Sequence, residues 1–416
     1  MKNKYLIFVF ERRHGYLHDY EHFAMEYFEK RGYTVLVWSV VDWTFGEKIS
    51  TPKNIDLSGR TTHINGKKEF EDKVKEFKGL NCKFLIYPYH AYGKVSFEIR
   101  KIIRKYRFEF CNLTENSDLV EVKELKLETC KDVSKYYLEL LEKKLKKDSK
   151  KEEDCNDVNQ IVVKDNSISL IHGLLGPILY KSKYNFCVTE NQYNYFPNKF
   201  EVLSKRNVMI THSDYGKYLK IKQKEKLYTE EYIVFIDEYE CGHSDFEKMG
   251  LPYAIQDSVK YYKELNDFFD YVEKIYRIPI VIAAHPKAEY ESGTFGKRKI
   301  EYFKTADLIR DAKLVLYMYG TSLSYILLFK KNFLHVYTSQ HMRGHVVDEF
   351  INGVQRRLNT RLLRTDCFEN EIDICSFMKA YCDEYEKFIS MYLKSNTGVD
   401  EAWYETIARY LEQGDN

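Results

Sequence analysis

Three short stretches hold the side chains best suited to acid–base and anion chemistry. Asp237 and Glu238 stand side by side where the apolar run Tyr232-Ile233-Val234-Phe235-Ile236 gives way to polar residues. A carboxylate at a strand-to-loop junction can serve as a general base or as a nucleophile. Glu240, His243 and Asp245 follow closely as further titratable groups. The competing account for Asp237, and the stronger one for Asp245, is plain helix capping. His285 precedes Pro286, whose ring fixes the backbone leaving the strand and so holds the imidazole in one orientation. An imidazole held in this way can donate to a phosphate oxygen or protonate a leaving phosphate. Gly320-Thr321-Ser322-Leu323-Ser324 supplies a glycine and three hydroxyls ahead of an apolar helical run. Thr321, Ser322 and Ser324 are suited to phosphate, through their hydroxyls and through the free N–H groups of a helix start. Capping of that helix is compatible with the same role.

The elements that must position these groups are legible around them. Ile278 to Ala284 reads as a buried strand delivering His285, and Lys313 to Tyr319 as a second strand delivering Gly320. Tyr302 to Ala312 reads as a helix between the two, so the stretch is a βαβ unit. Parallel strands send both loops to one edge of the sheet, the edge where open α/β sheets bind ligands. Ser258 to Tyr276 is a long amphipathic helix before the His-Pro strand, and Phe333 to Tyr337 a further strand. Two helices, about 372–393 and 400–411, close the chain.

The first half begins the same way. Tyr5 to Phe10 is a continuous apolar strand, Asp19 to Arg31 a helix closed by Gly32, and Thr34 to Trp38 the next strand. Glu11-Arg12-Arg13-His14-Gly15 replaces the glycine-rich turn of a dinucleotide site, which disfavours NAD. Lys83 to Tyr87 is a strand ending near His90; His14, His90, His172 and His212 all lie at strand ends or tight turns. His14 and His90 are candidates for the acceptor side. Residues 221–229 are rich in lysine without apolar periodicity and fit a linker.

Composition narrows the classes. The 416 residues exceed one ordinary core and imply two domains. The 65 basic and 63 acidic residues are interspersed, so nothing points to nucleic acid. Nine cysteines form no CxxC pair, which fits scattered, mostly buried thiols. No tight metal site is indicated: there is no His-Glu-x-x-His, DxD or Walker loop. The absence of a leader-like or membrane-length apolar run places the expected protein in the cytoplasm, with peripheral contact at the inner membrane face compatible.

At Asp237-Glu238, His285-Pro286 and Gly320-Thr321-Ser322-Leu323-Ser324 the chain resembles the bacterial glycosyltransferases of GT-B architecture that use CMP-activated sugars. These are the sialyl-, polysialyl-, Kdo and pseudaminic or legionaminic acid transferases of capsule and lipopolysaccharide assembly. The resemblance implies that Asp237 or Glu238 acts on the acceptor hydroxyl, while His285, Pro286, Gly320, Thr321, Ser322 and Ser324 hold the CMP. The sialyltransferase acidic motif usually continues directly into glycine, whereas Tyr239 follows here and Gly242 comes later. Tyr319-Gly320-Thr321-Ser322 also resembles, at a distance, a loop of the teichoic-acid glycerophosphotransferases.

The expectation is therefore an α/β protein of GT-B type, two Rossmann-like domains facing a central cleft. Residues 1–225 form the acceptor-side domain, 226–385 the nucleotide-sugar-binding domain, and 386–416 are helices crossing back. The expected function is transfer of a nonulosonic acid from its CMP donor to a hydroxyl of a surface glycan, with neither metal nor cofactor. Alternatives are a CMP-Kdo transferase, a UDP-sugar or CDP-glycerol enzyme, and a non-catalytic glycan-binding protein. The expected partners are donor and acceptor.

Overall fold

The computed structural model describes residues 4–11, 17–45, 60–87, 94–114, 180–188, 207–243, 246, 252–286, 288–367, 374–396 and 398–413. Each long apolar run becomes a strand covered on both faces. In β1 (Lys4–Phe10), Leu6 to Phe10 are buried without a break, which only an interior strand of a doubly covered sheet allows. β2 (Tyr33–Ser39) and β4 (Asn81–Tyr87) pair with it in parallel, one on each side. β3 (Thr61–His63) extends the sheet beyond β2; β5 (Phe110–Thr114), β6 (Asn185–Cys187) and β7 (Asn207–Met209) extend it beyond β4. The resulting order is β3-β2-β1-β4-β5-β6-β7.

A second sheet repeats the pattern. It holds β8 (Ile233–Ile236), β9 (Ile280–Ala284), β10 (Lys299–Tyr302), β11 (Leu314–Tyr317), β12 (Phe333–Tyr337) and β13 (Leu362–Arg364) in the order β10-β9-β8-β11-β12-β13. These strands are all parallel; β14 (Met378–Lys379) joins β12 in the antiparallel sense. Counted within itself, each sheet begins 3-2-1-4-5-6, the doubly wound order of a Rossmann fold. The α/β class and the two Rossmann-like domains expected from the sequence are both present.

Among the described residues, one unit comprises those up to Ser213 together with those from Ser395 onward, and the other runs from Asp214 to Lys394. The change of unit comes earlier than residue 225. Helix Ser213–Ile221 packs with the second unit, Ile221 in its main core and Tyr215 against Leu328 and Leu393. The final segment is divided. Tyr385 and Phe388 of helix Asp383–Tyr392 pack on the second core, whereas Trp403, Tyr404, Ile407, Ala408 and Leu411 of helix Trp403–Glu412 pack on the first.

Local departures from the expected elements have local causes. The helix expected over 19–31 is two, Leu17–His22 and Met25–Lys30, broken where Ala24 takes a left-handed φ of 47°. The helix expected from Tyr302 begins only at Thr305, and Lys299–Tyr302 is instead the edge strand β10. An edge strand pairs on one side alone and carries little apolar signal. The helix expected over 372–393 is likewise divided by β14. Of the cysteines, Cys82, Cys111 and Cys187 are buried but Cys367 and Cys375 are exposed.

The scaffold beneath the candidate site is helix Ser258–Tyr276. Asp257 caps its start, accepting from the Lys260 N–H at 3.0 Å, and Arg277 ends it in a left-handed conformation. Its buried face, Tyr261, Leu265, Phe268, Phe269 and Val272, repeats at helical spacing and packs on Phe235, Ile282 and Leu316 of the central strands. That packing fixes the ends of β8, β9 and β11.

Candidate active site

β8 lies between β9 and β11, the point where the winding of the sheet reverses. Ligands of doubly wound sheets bind at the carboxyl edge beside that reversal. The backbone register carries the three sequence motifs there. Ile236 pairs with Ala283, and the Asp237 N–H donates to the Ala283 carbonyl at 3.1 Å, so His285 emerges beside the acids. On the other flank, β11 runs parallel to β8 and releases Gly320 at the same edge.

Asp237 and Glu238 diverge, as consecutive residues leaving a strand must. Asp237 is only 2% exposed, and its Oδ2 accepts from the Tyr239 N–H at 3.1 Å and from the Tyr290 hydroxyl. Its Oδ1 is buried without a hydrogen-bond partner. Burial raises its pKa to about 7, and the charge of Glu240 adds to the rise. Glu238 turns toward β11. It is half-buried, and the Ser322 hydroxyl lies 3.5 Å from its Oε1. Burial, with the charges of Asp237 and Glu240, pushes its pKa up to about 8.

Glu240 ties the edge together. It is 1% exposed, and the Nε2 of His341 lies 2.7 Å from its Oε1. The Nδ1 of His341 contacts the Thr338 hydroxyl at 2.9 Å, and the imidazole stacks on Tyr337 with ring centroids 4.7 Å apart. Burial disfavours the charged imidazole, but the charge and hydrogen bond of Glu240 outweigh it and raise the His341 pKa. Burial and the charge of Glu240 also raise the pKa of Tyr319. The ends of β8 and β12 thus meet at one carboxylate. Among the described residues, no lysine or arginine pairs with Asp237, Glu238 or Glu240.

His285 is half-buried and its ring lies 4.6 Å from that of His243, which in turn packs at 5.8 Å from Phe246. Pro286 is exposed beside it. The structure therefore brings together two imidazoles that the sequence presents 42 positions apart. Tyr290, in the segment after Pro286, links this strand end to Asp237.

The Gly320 loop differs from a bare phosphate seat. Gly320 has φ of +108°, and a Cβ built there would overlap the Glu238 carboxylate. The glycine is needed so that Glu238 can lie against the loop. Helix Leu323–Leu328 spans six residues; Ser322 caps it without a side-chain bond. Ser324 is 1% exposed, its hydroxyl held by Asp214 at 2.5 Å and by the Thr321 carbonyl at 2.9 Å. It acts inside the protein, whereas Thr321 is exposed and Ser322 half-buried.

The remaining candidates fall elsewhere. His14, His90, His172 and Asp245 lie outside the described residues. His212 is buried in the first unit. His335 is a core histidine whose burial lowers its pKa to about 4, with Nδ1 2.7 Å from the Thr360 hydroxyl. Sequence reasoning did not find Tyr290 or His341. His341 lies 101 positions from Glu240, and no local pattern signals such a contact. Among the described residues, no group of three or more His, Cys, Asp and Glu side chains is arranged to hold a metal. Among them, too, no helix is long and apolar enough to cross a membrane.

No family model matches the chain, and no curated protein matches it. Solved structures similar to it include MurG of Acinetobacter baumannii, at 10% identity over 99% of both chains with a TM-score of 0.45. The wall teichoic acid polymerase TagF matches at 10% identity over 100% of this chain and 90% of that one, TM-score 0.48. The UDP-GlcNAc 2-epimerase of Neisseria meningitidis matches at 11% over 98% and 100%, TM-score 0.44. Likenesses this distant leave the functional reading to the chain's own geometry.

Proposed function

We propose that the chain transfers a sugar from a nucleotide-activated donor to a hydroxyl acceptor, with the donor bound at the carboxyl edge of the second sheet. The observation that supports this is Glu238, a half-buried carboxyl at the winding reversal whose pKa stands at about 8. A base with a pKa near the working pH is well matched to take the proton of a hydroxyl nucleophile. As the acceptor oxygen bonds to the anomeric carbon, its proton passes to Glu238 and the bond to the leaving phosphate breaks. His285, with His243 beside it, is the donor group for the departing phosphate, and Thr321 and Ser322 add hydroxyls. Asp237 is anchored by Tyr290 and the Tyr239 N–H; its charge keeps Glu238 basic.

The finer reading is a CMP-activated nonulosonic acid as donor. A nucleoside-monophosphate leaving group carries one phosphate, which one imidazole and two hydroxyls can meet. The test is thermal protection by CMP, CDP and UDP, followed by turnover with CMP-sialic, CMP-pseudaminic, CMP-legionaminic and CMP-Kdo donors, a UDP-sugar and CDP-glycerol. Protection by CMP with transfer or hydrolysis of one CMP donor is expected. Turnover confined to UDP-sugars or CDP-glycerol would overturn the CMP reading, and binding without turnover of any donor would make this a glycan- or nucleotide-binding protein.

A further inference from the structure

Glu240 and His341 are titratable groups of the carboxyl edge to which the proposed transfer gives no part. Both are enclosed in the second unit, each side chain 1% exposed, with the His341 Nε2 2.7 Å from the Glu240 Oε1. The surroundings of the imidazole fix its charge. Its Nδ1 faces the Thr338 hydroxyl at 2.9 Å and the Thr338 carbonyl at 3.3 Å. A carbonyl and a carboxylate can only accept, so an acceptor faces each ring nitrogen, and the form that satisfies both is the imidazolium. Burial alone would remove that charge; the charge and hydrogen bond of Glu240 keep it. Tyr337, stacked on the ring at an interplanar angle of 13°, and backbone pairing with Ile255 hold the residue in place.

The pair sits among acids. Beyond burial, the charge of Glu240 contributes to the raised pKa of both Asp237 and Glu238. The other groups that face this edge bring no compensating charge. Tyr317 and Tyr319 at the end of β11 and Tyr261 of helix Ser258–Tyr276 are phenols kept neutral by burial and by the neighbouring carboxylates. The Cys241 thiol, pushed up to about 12 by burial, is neutral as well. Asp348 of helix Val346–Leu358 adds negative charge toward His341, with Oδ2 on the Gly344 N–H at 2.7 Å. Asp257, beyond the Ile255 pairing, is matched by Lys260 at 2.8 Å, and Arg343 is exposed, its charge bearing on Tyr337. Among the described residues, His341 is therefore the one cationic group in hydrogen-bond contact with Asp237, Glu238 or Glu240.

We propose that His341 is a positioning residue that acts through Glu240: its proton cancels the Glu240 charge, and that cancellation limits how tightly Glu238 and Asp237 hold their own protons. Without the imidazolium, Glu240 would be a bare buried charge beside two further carboxyls, each of which would then favour its protonated form. Glu238 would remain protonated near neutral pH and could not take a proton from a hydroxyl. The importance of this for catalysis rests on the transfer proposed above, in which Glu238 is the base; the charge coupling itself does not.

The experiment is NMR titration of the full chain without donor or acceptor, reading carboxyl carbon-13 and imidazole nitrogen-15 shifts. It compares the wild type with His341→Gln, Glu240→Gln and the double variant, with melting curves to verify folding. In the wild type, His341 should show imidazolium shifts near neutral pH. His341→Gln should raise the Glu238 and Asp237 midpoints by about one pH unit or more, because Glu240 then stands uncompensated. Adding Glu240→Gln should return both midpoints to the wild-type values or below. A merely structural role gives the opposite pattern: loosened packing admits water and lowers the midpoints in every variant, and the second substitution restores nothing. If His341→Gln does not fold, Glu240→Gln alone decides, since the imidazole there should be neutral near neutral pH. A neutral His341 in the wild type, midpoints that fail to rise in His341→Gln, a rise that survives Glu240→Gln, or an imidazolium that persists in Glu240→Gln would each overturn the proposal. Absence of transfer with every donor would leave all of these readings unchanged, so the coupling and the transfer fail separately.

Discussion

The two sheets share a strand order and put a buried acid at the same topological point, yet they treat it in opposite ways. In the first unit the acid following β1 is Glu11, 3% exposed, with Arg100 Nη1 3.1 Å from its Oε1 and the Ser96 hydroxyl 2.8 Å from both carboxylate oxygens. Arg100 is itself fully buried and donates onward to Asn112 at 3.2 Å. In the second unit the acids following β8 have tyrosine, serine and histidine for company but, among the described residues, no arginine or lysine, and burial raises the pKa values of Asp237 and Glu238. A paired buried charge organises a fold; an unpaired one is held ready to exchange a proton. Equal topology therefore does not carry equal function, and the difference lies in one arginine.

The largest expected effect breaks the structural side of the comparison. Arg100→Met leaves Glu11 buried without its counter-charge and should destabilise the first unit by about 3–5 kcal/mol in urea unfolding. A loss under ~1 kcal/mol would show that Glu11 is not held by the pair. On the other side, Glu238→Gln should lower transfer about 100-fold, roughly 2.7 kcal/mol, with little change in melting temperature. Near-wild-type transfer in the folded variant would remove Glu238 as the base. Gly320→Ala tests the same carboxylate through its neighbour. An added Cβ at a φ of +108° must push Glu238 aside, so stability should fall by about 1–2 kcal/mol and turnover roughly tenfold. A silent substitution would mean that the contact between Gly320 and Glu238 does not matter.

The smallest effect sharpens the comparison through pH. A carboxyl whose folded pKa is raised binds more protons folded than unfolded between its ordinary value and the raised one. Its contribution is fully present below about pH 4 and is lost as the pH climbs through about 7 for Asp237. Asp237→Asn removes this dependence while keeping an acceptor for Tyr290. The variant should gain on the wild type by about 1 kcal/mol or more between pH 5 and 8, read from unfolding curves. A gap that does not change with pH would refute the burial effect.

Much of the second sheet's edge was legible because the relevant signals are local. Apolar runs mark β8, β9 and β11, and each ends in the polar residues that the edge displays. The sequence also showed that Asp237 and Glu238 must point apart, but not which of them keeps access to solvent. That depends on Gly320, whose missing side chain makes room for Glu238, and on Tyr290, which occupies Asp237. Ser324 shows the same limit. Its hydroxyl looks identical to those of Thr321 and Ser322 in sequence, yet a carboxylate 110 positions away, Asp214, claims it. β10 escaped notice because an edge strand of four partly exposed residues leaves no apolar pattern. The Arg100–Glu11 pair, 89 positions apart, was equally invisible.

The central claim is that Asp237 and Glu238 exchange their protons near neutral pH in the folded chain, well above the ordinary carboxyl range. The direct measurement is a carbon-13 NMR titration of aspartate Cγ and glutamate Cδ carboxyls, with Asp237→Asn and Glu238→Gln assigning the two signals. Midpoints of about 7 for Asp237 and about 8 for Glu238 are predicted. Titration of both near the ordinary carboxyl value of ~4 would contradict the account.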